Sequence, residues 1–194
     1  MTSYIYEDDR TFSLEHIRQE YPVFGTTDYR QPAVEVIQEN GSRISDFQYQ
    51  SHRLEKGKPK LPGLPATYTE SGQEAETLTV TLKDELTGVE LDLLYTIFAK
   101  GGILTRSARF CHKGGEPVRL GRAMSLCLDL PDRDYVWQQL SGCWARECHI
   151  HCRNLEPGIQ AIGSMRGNSS HEHNPFLVLR RPHADERQGE VIGL

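Results

Sequence analysis

The stretch RGNSSHEHNPF, residues 166–176, gathers two asparagines, two serines and two histidines immediately before the apolar run FLVL. Those side chains could ligate a metal, form a nucleophile with its base, or present polar groups to a partner. Ser169, Ser170 and His171 carry the hydrolytic reading, but adjacent residues rarely converge into a triad, which needs a serine and an imidazole in hydrogen-bond reach and a third group orienting the ring. No Gly-x-Ser-x-Gly elbow is present. The residue types suit a loop whose Ser and Asn side chains satisfy their own backbone ahead of a strand at Phe176. CHIHC, residues 148–152, raises the metal question again. On a strand Cys148 and Cys152 share one face and His149 and His151 the other. The two thiols then stand ~13 Å apart, against a Zn–S bond of ~2.3 Å. His149 with His151, or His171 with His173, could hold an ion only with a ligand from elsewhere, so no metal and no cofactor is expected.

Carboxylates cluster at Asp129, Asp132 and Asp134, and at Glu7, Asp8 and Asp9. The first group reads as a turn in which Pro131 breaks a strand, the second as a solvated end. Neither is by itself a glycosidase pair, whose members flank one bond at about 5 to 9 Å. Gly101-Gly102 and Gly114-Gly115 read as hairpin glycines, because no helix follows to complete a phosphate loop. Trp137 and Trp144 flank the turn LSGCW. Their rings could stack on sugar, although burial in a sandwich core or at a domain interface is the favoured expectation.

The elements that must position these groups read almost entirely as strands. PAVEVIQ and RISDFQYQSHRL flank Asn40-Gly41, a hairpin signal. TLTVTLKDE, GVELDLLYTIF and ILTRSARFCHK follow with period-two alternation and glycine turns; VRLGRAMSLCLDL, YVWQQL, WARECHIHC, IQAIG and FLVLRR continue it. About ten strands at this spacing predict an all-β, large antiparallel β-sandwich with few or no helices. SLEHIRQEY is the one helical candidate, with Ser13 as its cap. HRLEKGKPKLPGLPATYTESGQEAE, residues 52–76, reads as a long loop over the sandwich.

The chain has 194 residues, enough for one core, and is expected to form a single domain over 1–194. A net charge of −5 gives no reason to expect nucleic acid or an anionic membrane. No apolar run reaches the ~18 residues of a span, and the acidic start lacks a signal-peptide pattern. Five cysteines suggest no disulfide framework, which fits a reducing, cytoplasmic setting. GEVIGL ends in mid-pattern, so the chain is expected to be truncated, with sheet edges and apolar faces that make it self-associate.

Taken in order, DRTFSLEHIRQEYPVFGTTDYRQPAVEV, ENGSRISDFQYQSHRLEKGKPKLPGLPATY, EAETLTVTLKDELTGVEL, ILTRSARF, RAMSL, RGNSSHEHNPF and GEVIGL resemble the N-terminal β-sandwich of bacterial α-galactosidases of glycoside hydrolase family 36. The resemblance covers nearly the whole chain and implies a supersandwich of galactose-mutarotase type, truncated at both ends. It also implies a parent enzyme that hydrolyses terminal α-galactosyl residues, of melibiose or raffinose type, with retention. The two catalytic aspartates of the family stand on a (β/α)8 barrel that follows this domain, so no catalytic residue is expected here. Arg10 matches a family arginine implicated near a neighbouring subunit's active site, and is the one substrate-binding residue implied, in trans. The partners implied are the parent's own barrel and neighbouring subunits, with RGNSSHEHNPF serving that interface. CHIHC departs from the family pattern. Two other classes stand beside this one: a self-standing carbohydrate-binding module using Trp137 and Trp144, and a metal-binding interaction domain using His149, His151, His171 and His173.

Overall fold

The computed structural model describes residues 18–25, 30–63, 66–167 and 172–194. Ten strands form among them, all pairing antiparallel, and no helix. The chain divides into two compact units, Met1–Asp129 and Leu130–Leu194.

In the first unit, β2 (Phe47–Lys56), β3 (Glu76–Asp84), β4 (Val89–Phe98) and β5 (Ile103–His112) make a meander in chain order. Short turns at 85–88 and 99–102 connect β3, β4 and β5, so pairing is local and the alternation decides the register. Leu82, Leu91 and Phe110 line up across the three strands on one face, Thr81, Asp92 and Arg109 on the other. β1 (Val34–Gln38) pairs with β6 (Val118–Ala123) as a separate ribbon. Val34 and Val36 of β1 form a buried cluster with Val89 of β4, and Tyr21, Val23, Phe47, Phe110 and Val118 pack around it. Burying three valines almost completely contributes on the order of 5 kcal/mol at ~1.5–3 kcal/mol for each side chain. This two-layer packing is a small sandwich.

The opposite face of the meander is rich in hydroxyls. Thr77 Oγ1 donates to Gly57 O at 2.7 Å and lies 2.8 Å from Thr96 Oγ1 across the pair. Asp92 takes Thr81 Oγ1 at 2.7 Å and Arg109 Nε at 2.9 Å. The β2–β3 loop begins at Gly57, five residues later than the sequence suggests, and Ala66 and Tyr68 of that loop lie beside Phe98 and Ile103.

In the second unit, β7 (Val136–Cys143), β8 (Arg146–Asn154), β9 (His173–Arg180) and β10 (Val191–Gly193) form a sheet ordered β10-β9-β7-β8. Arg181 secures its start. The guanidinium holds Asp132 at 2.6 Å and Glu190 at 2.9 Å while lying 4.0 Å from the centre of the Tyr135 ring. Asp132 is thereby held below the usual carboxylate range, by Arg181 first and by the Asp134 N–H second.

Several expectations are corrected. Asn40-Gly41 does make a tight turn, with Gln38 N donating to Ser42 O at 2.9 Å, but β1 and β2 enter different sheets. An Asn-Gly turn fixes only the local reversal, and β1 buries its valines against β4 instead. IQAIG is no strand: Ile159 is exposed, and Gln160 reaches back to Asn154 O, with no strand paired to it among the described residues. Strand β6 stops at Ala123, and SLCLDL runs on irregularly, tied by Arg106 to Cys127 O at 3.0 Å. The β9 strand starts at His173, three residues before Phe176, taking in Pro175 at an irregularity where no ladder N–H is needed. Residues 13–17 of the helical candidate lie outside the described residues, and 18–21 are not helical.

Candidate functional site

The side chains with chemical potential converge on the β7–β8 hairpin and its neighbour β9. Register places His149 beside Ser141, His151 beside Gln139 and Arg153 beside Trp137, with His173 on the far side of Ser141. Directly paired residues share a face. Along that face runs a chain of hydrogen bonds. Trp137 Nε1 donates to Gln139 Oε1 at 2.7 Å, Gln139 Nε2 donates to Ser141 Oγ at 2.7 Å, and Ser141 Oγ lies 3.0 Å from His173 Nδ1. An indole N–H can only donate, so it fixes the amide, which gives its N–H to the serine oxygen; which atom donates between Ser141 Oγ and His173 Nδ1 follows the imidazole tautomer. Arg153 covers the Trp137 ring at 4.5 Å from the centroid, a cation–π contact.

This Ser141–His173 pair is one the sequence reading missed, since 32 positions separate the two residues. It is built for positioning. The serine oxygen already accepts from Gln139, and the imidazole meets it through Nδ1. Ser169, Ser170 and His171 lie outside the described residues, as does Arg10. Glu172 and Arg166, which bracket that part of RGNSSHEHNPF, form an ion pair at 2.8 Å.

Local strain marks the hairpin. Gly142 faces two residues of β8, Glu147 and Cys148, in a bulge where the register shifts between Ser141 and Cys143. A Cβ on Gly142 would lie 2.0 Å from Arg146 O, so only glycine fits. Ala145 and Cys148 adopt positive φ angles of 62° and 60°. Such angles cost a residue with a Cβ roughly 1–2 kcal/mol each, and strained backbone of this kind concentrates at functional surfaces. Just before Ala145 the tip displays Trp144, 81% exposed, which removes it from any core. Trp137 is partly buried.

Cys148 and Cys152 make separate contacts, Cys148 with Asn174 Nδ2 at 3.5 Å and Cys152 with Gln138 Oε1 at 3.7 Å. Among the described residues no three His, Cys, Asp or Glu side chains gather at metal-binding distance. The buried or half-buried acids are fastened to structure. Asp84 Oδ1 accepts the Leu86 N–H at 3.0 Å, Asp92 is bound as above, and Asp129 joins Arg30 and the Gln19 N–H. Elsewhere, Ala66, Thr67, Tyr68, Phe98 and Ile103 of the first unit line an apolar recess of about 360 Å³. Among the described residues no helix is long and apolar enough to cross a membrane.

The described residues define an all-β protein of antiparallel sheets. The chain belongs to glycosyl hydrolase family 36: the model of that family's N-terminal domain matches residues 2–194. It is 54% identical to the α-galactosidase AgaA of Geobacillus stearothermophilus over 95% of this chain and 25% of that protein. It is 42% identical to α-galactosidase 1 of Pediococcus pentosaceus, again over 95% of this chain and 25% of the relative. The crystal structure of AgaB from G. stearothermophilus superposes with a TM-score of 0.92 at 53% identity, covering 97% of this chain and 26% of that one. A substituted AgaA, similar at the same TM-score, has been crystallised in complex with raffinose. The chain thus spans about a quarter of the length of the curated relatives it matches.

Proposed function

We propose that residues 1–194 act as one supersandwich-type, non-catalytic N-terminal domain of a retaining α-galactosidase that removes terminal α-galactosyl groups from sugars of the melibiose and raffinose type in the cytoplasm. The observation that carries this is the match of the family's N-terminal domain over residues 2–194, together with relatives four times as long that are α-galactosidases. Its chemistry is consistent with support: Asp84, Asp92, Asp129 and Asp132 serve turns and ion pairs, whereas a retaining mechanism needs two carboxyl groups ~5 Å apart, one of them able to keep a proton. The domain's partners are the parent's barrel and neighbouring subunits. The test is hydrolysis of an aryl α-galactoside by the 194-residue chain and by the full-length parent. The parent alone should turn over substrate; turnover by the chain above a mock purification, lost on changing one of its residues, would overturn the proposal.

Arg10 is proposed to act in trans, its guanidinium fork holding sugar hydroxyls or a carboxylate of an adjacent subunit. Arg10→Ala in the full-length enzyme should raise KM or lower kcat/KM with the assembly intact. Unchanged kinetics would leave Arg10 a surface residue.

The exposure of Trp144 favours a second reading, a surface for sugar in the domain itself. Calorimetric titration with melibiose decides it: heat that vanishes in Trp144→Ala supports the module, and none argues against it.

A further inference from the structure

Asn40-Gly41 is the one Asn-Gly pair in the chain. It stands in the turn that follows β1, with both residues exposed. Asparagine is thermolabile because the main-chain nitrogen of the next residue can attack its side-chain amide, and a glycine shields that nitrogen least. Here the approach is open: apart from its chain neighbours, nothing lies within 4 Å of where a Cβ on Gly41 would stand. The amide under attack is held as well. Asn40 Oδ1 accepts the Ser42 N–H at 2.9 Å, which curls the side chain back over the peptide between them. The same N–H polarises the amide carbonyl and steadies the oxyanion that attack creates. Against this, Gly41 N donates to Gln38 O at 2.9 Å, a turn bond at the surface that water can replace at little net cost.

The other asparagines lack this combination. Asn154 precedes Leu155 and Asn168 precedes Ser169, each with a Cβ, and Asn174 precedes Pro175, which has no N–H to give up. We propose that the Asn40-Gly41 turn is a site of self-modification, where Asn40 converts in the folded chain to aspartate and isoaspartate, the latter loosening the end of β1. Gly41 N bonds to Asn40 Cγ, its proton passes through water to the side-chain nitrogen, and the Cγ–Nδ2 bond breaks, releasing ammonia and leaving a succinimide. Water then adds to one ring carbonyl and breaks its bond to the ring nitrogen. Opening at Cγ gives aspartate on an unaltered main chain; opening at the main-chain carbonyl of residue 40 gives isoaspartate, with the chain rerouted through Cβ and Cγ. Water is consumed, ammonia leaves, and nothing is oxidised or reduced. Either product adds a negative charge beside Glu39 to a chain already at −5. Isoaspartate also inserts a main-chain atom into a turn closed by Gln38 N donating to Ser42 O at 2.9 Å, where β1 ends. The glycosidase reading plays no part in this.

The test holds the 194-residue chain warm in mildly alkaline buffer, folded or in urea, and digests samples at intervals for mass spectrometry. The peptide carrying Asn40 should give way to two products of equal mass, each heavier by the difference between a carboxylic acid and an amide. Peptides carrying Asn154, Asn168 and Asn174 should persist over the same period. Isoaspartyl methyltransferase should label one of the two products. Because the turn already holds the amide over the attacking nitrogen, the folded chain should convert no more slowly than the chain in urea. Asn40→Asp carries the charge without the extra main-chain atom and keeps an acceptor for Ser42, so it should melt like the unmodified chain. The isoaspartate form, separated by anion exchange, should melt lower. Earlier conversion of another asparagine, protection of Asn40 by folding, products that contain no isoaspartate, or an isoaspartate form that melts like Asn40→Asp would each overturn the proposal.

Discussion

Gly142 gives the sharpest test of how the β7–β8 hairpin is held. In Gly142→Ala the new methyl would sit 2.0 Å from Arg146 O, 2.9 Å from Glu147 Cα and 3.0 Å from Arg146 C. All three are backbone atoms, so no rotamer change relieves the overlap and β8 must move by more than an ångström. That movement dissolves the bulge in which Glu147 and Cys148 oppose Gly142, with its Cys143–Arg146 pairing. Overpacking of this kind costs about 1–3 kcal/mol, and the backbone nature of the clash puts it at the top of that range. About 3 kcal/mol corresponds to a loss of roughly 6–12 °C in Tm for a chain of this size. Gly115→Ala is the control, because nothing lies within 4 Å of its Cβ position; it should be neutral or stabilising by about 0.5 kcal/mol. Thermal unfolding followed by circular dichroism measures both. A Gly142→Ala chain melting within a degree or two of the parent would refute the account of the bulge.

Two threonines on one face of β3 should respond with opposite sign. Thr77 and Thr79 are 0% and 1% exposed, but Thr77 Oγ1 is bonded to Gly57 O and Thr96, while Thr79 Oγ1 has no partner. Thr77→Val should cost about 1–2 kcal/mol and Thr79→Val should stabilise by about 1 kcal/mol, read from urea midpoints; like signs would sink the reasoning. Alkaline stability should depend on Tyr95, whose phenol is pushed up to about 12, first by burial, against the opposing pull of Arg106. Its folded pKa lies above the unfolded value, so the contribution is whole below about pH 10 and is lost as pH rises through about 12. A phenolate absorbance titration should lose its latest component in Tyr95→Phe, and a titration unaltered by that substitution would contradict this assignment.

The meander of β3, β4 and β5 was legible because everything that determines it is local. Alternation chooses the buried face, and the glycine turns bring each strand back beside its predecessor. Reading failed where the partner is distant. Asn40-Gly41 announces a reversal, yet whether β1 then pairs with β2 depends on where Val34 and Val36 find cover, and that is Val89, more than fifty positions away. IQAIG alternates as well as VEVIQ does, but a strand exists only where another strand takes its hydrogen bonds. The faces of Cys148 and His149 followed from period two, whereas the bulge, the strained Cys148 and the exposure of Trp144 come from the close approach of Gly142, which has no signature in spacing.

Among the described residues the polar groups divide their labour. A general acid must keep a proton near neutrality, which takes an apolar setting without a cation or backbone donors. Asp92 and Asp132 have arginines against them, and Asp84 receives the N–H groups of its own turn. Such contacts tie the carboxylate oxygens to the fold, and Arg181 holds Asp132 below the usual carboxylate range. The histidines show the reverse arrangement. His149 and His151 project from an edge strand exposed along its whole length, and His173 closes a hydrogen-bond chain that begins at a tryptophan. Groups left accessible and aligned by a rigid ladder can meet another surface with little further loss of conformational entropy. These acids therefore hold the strands in place, and what β7, β8 and β9 present is an aligned row of imidazole and indole groups.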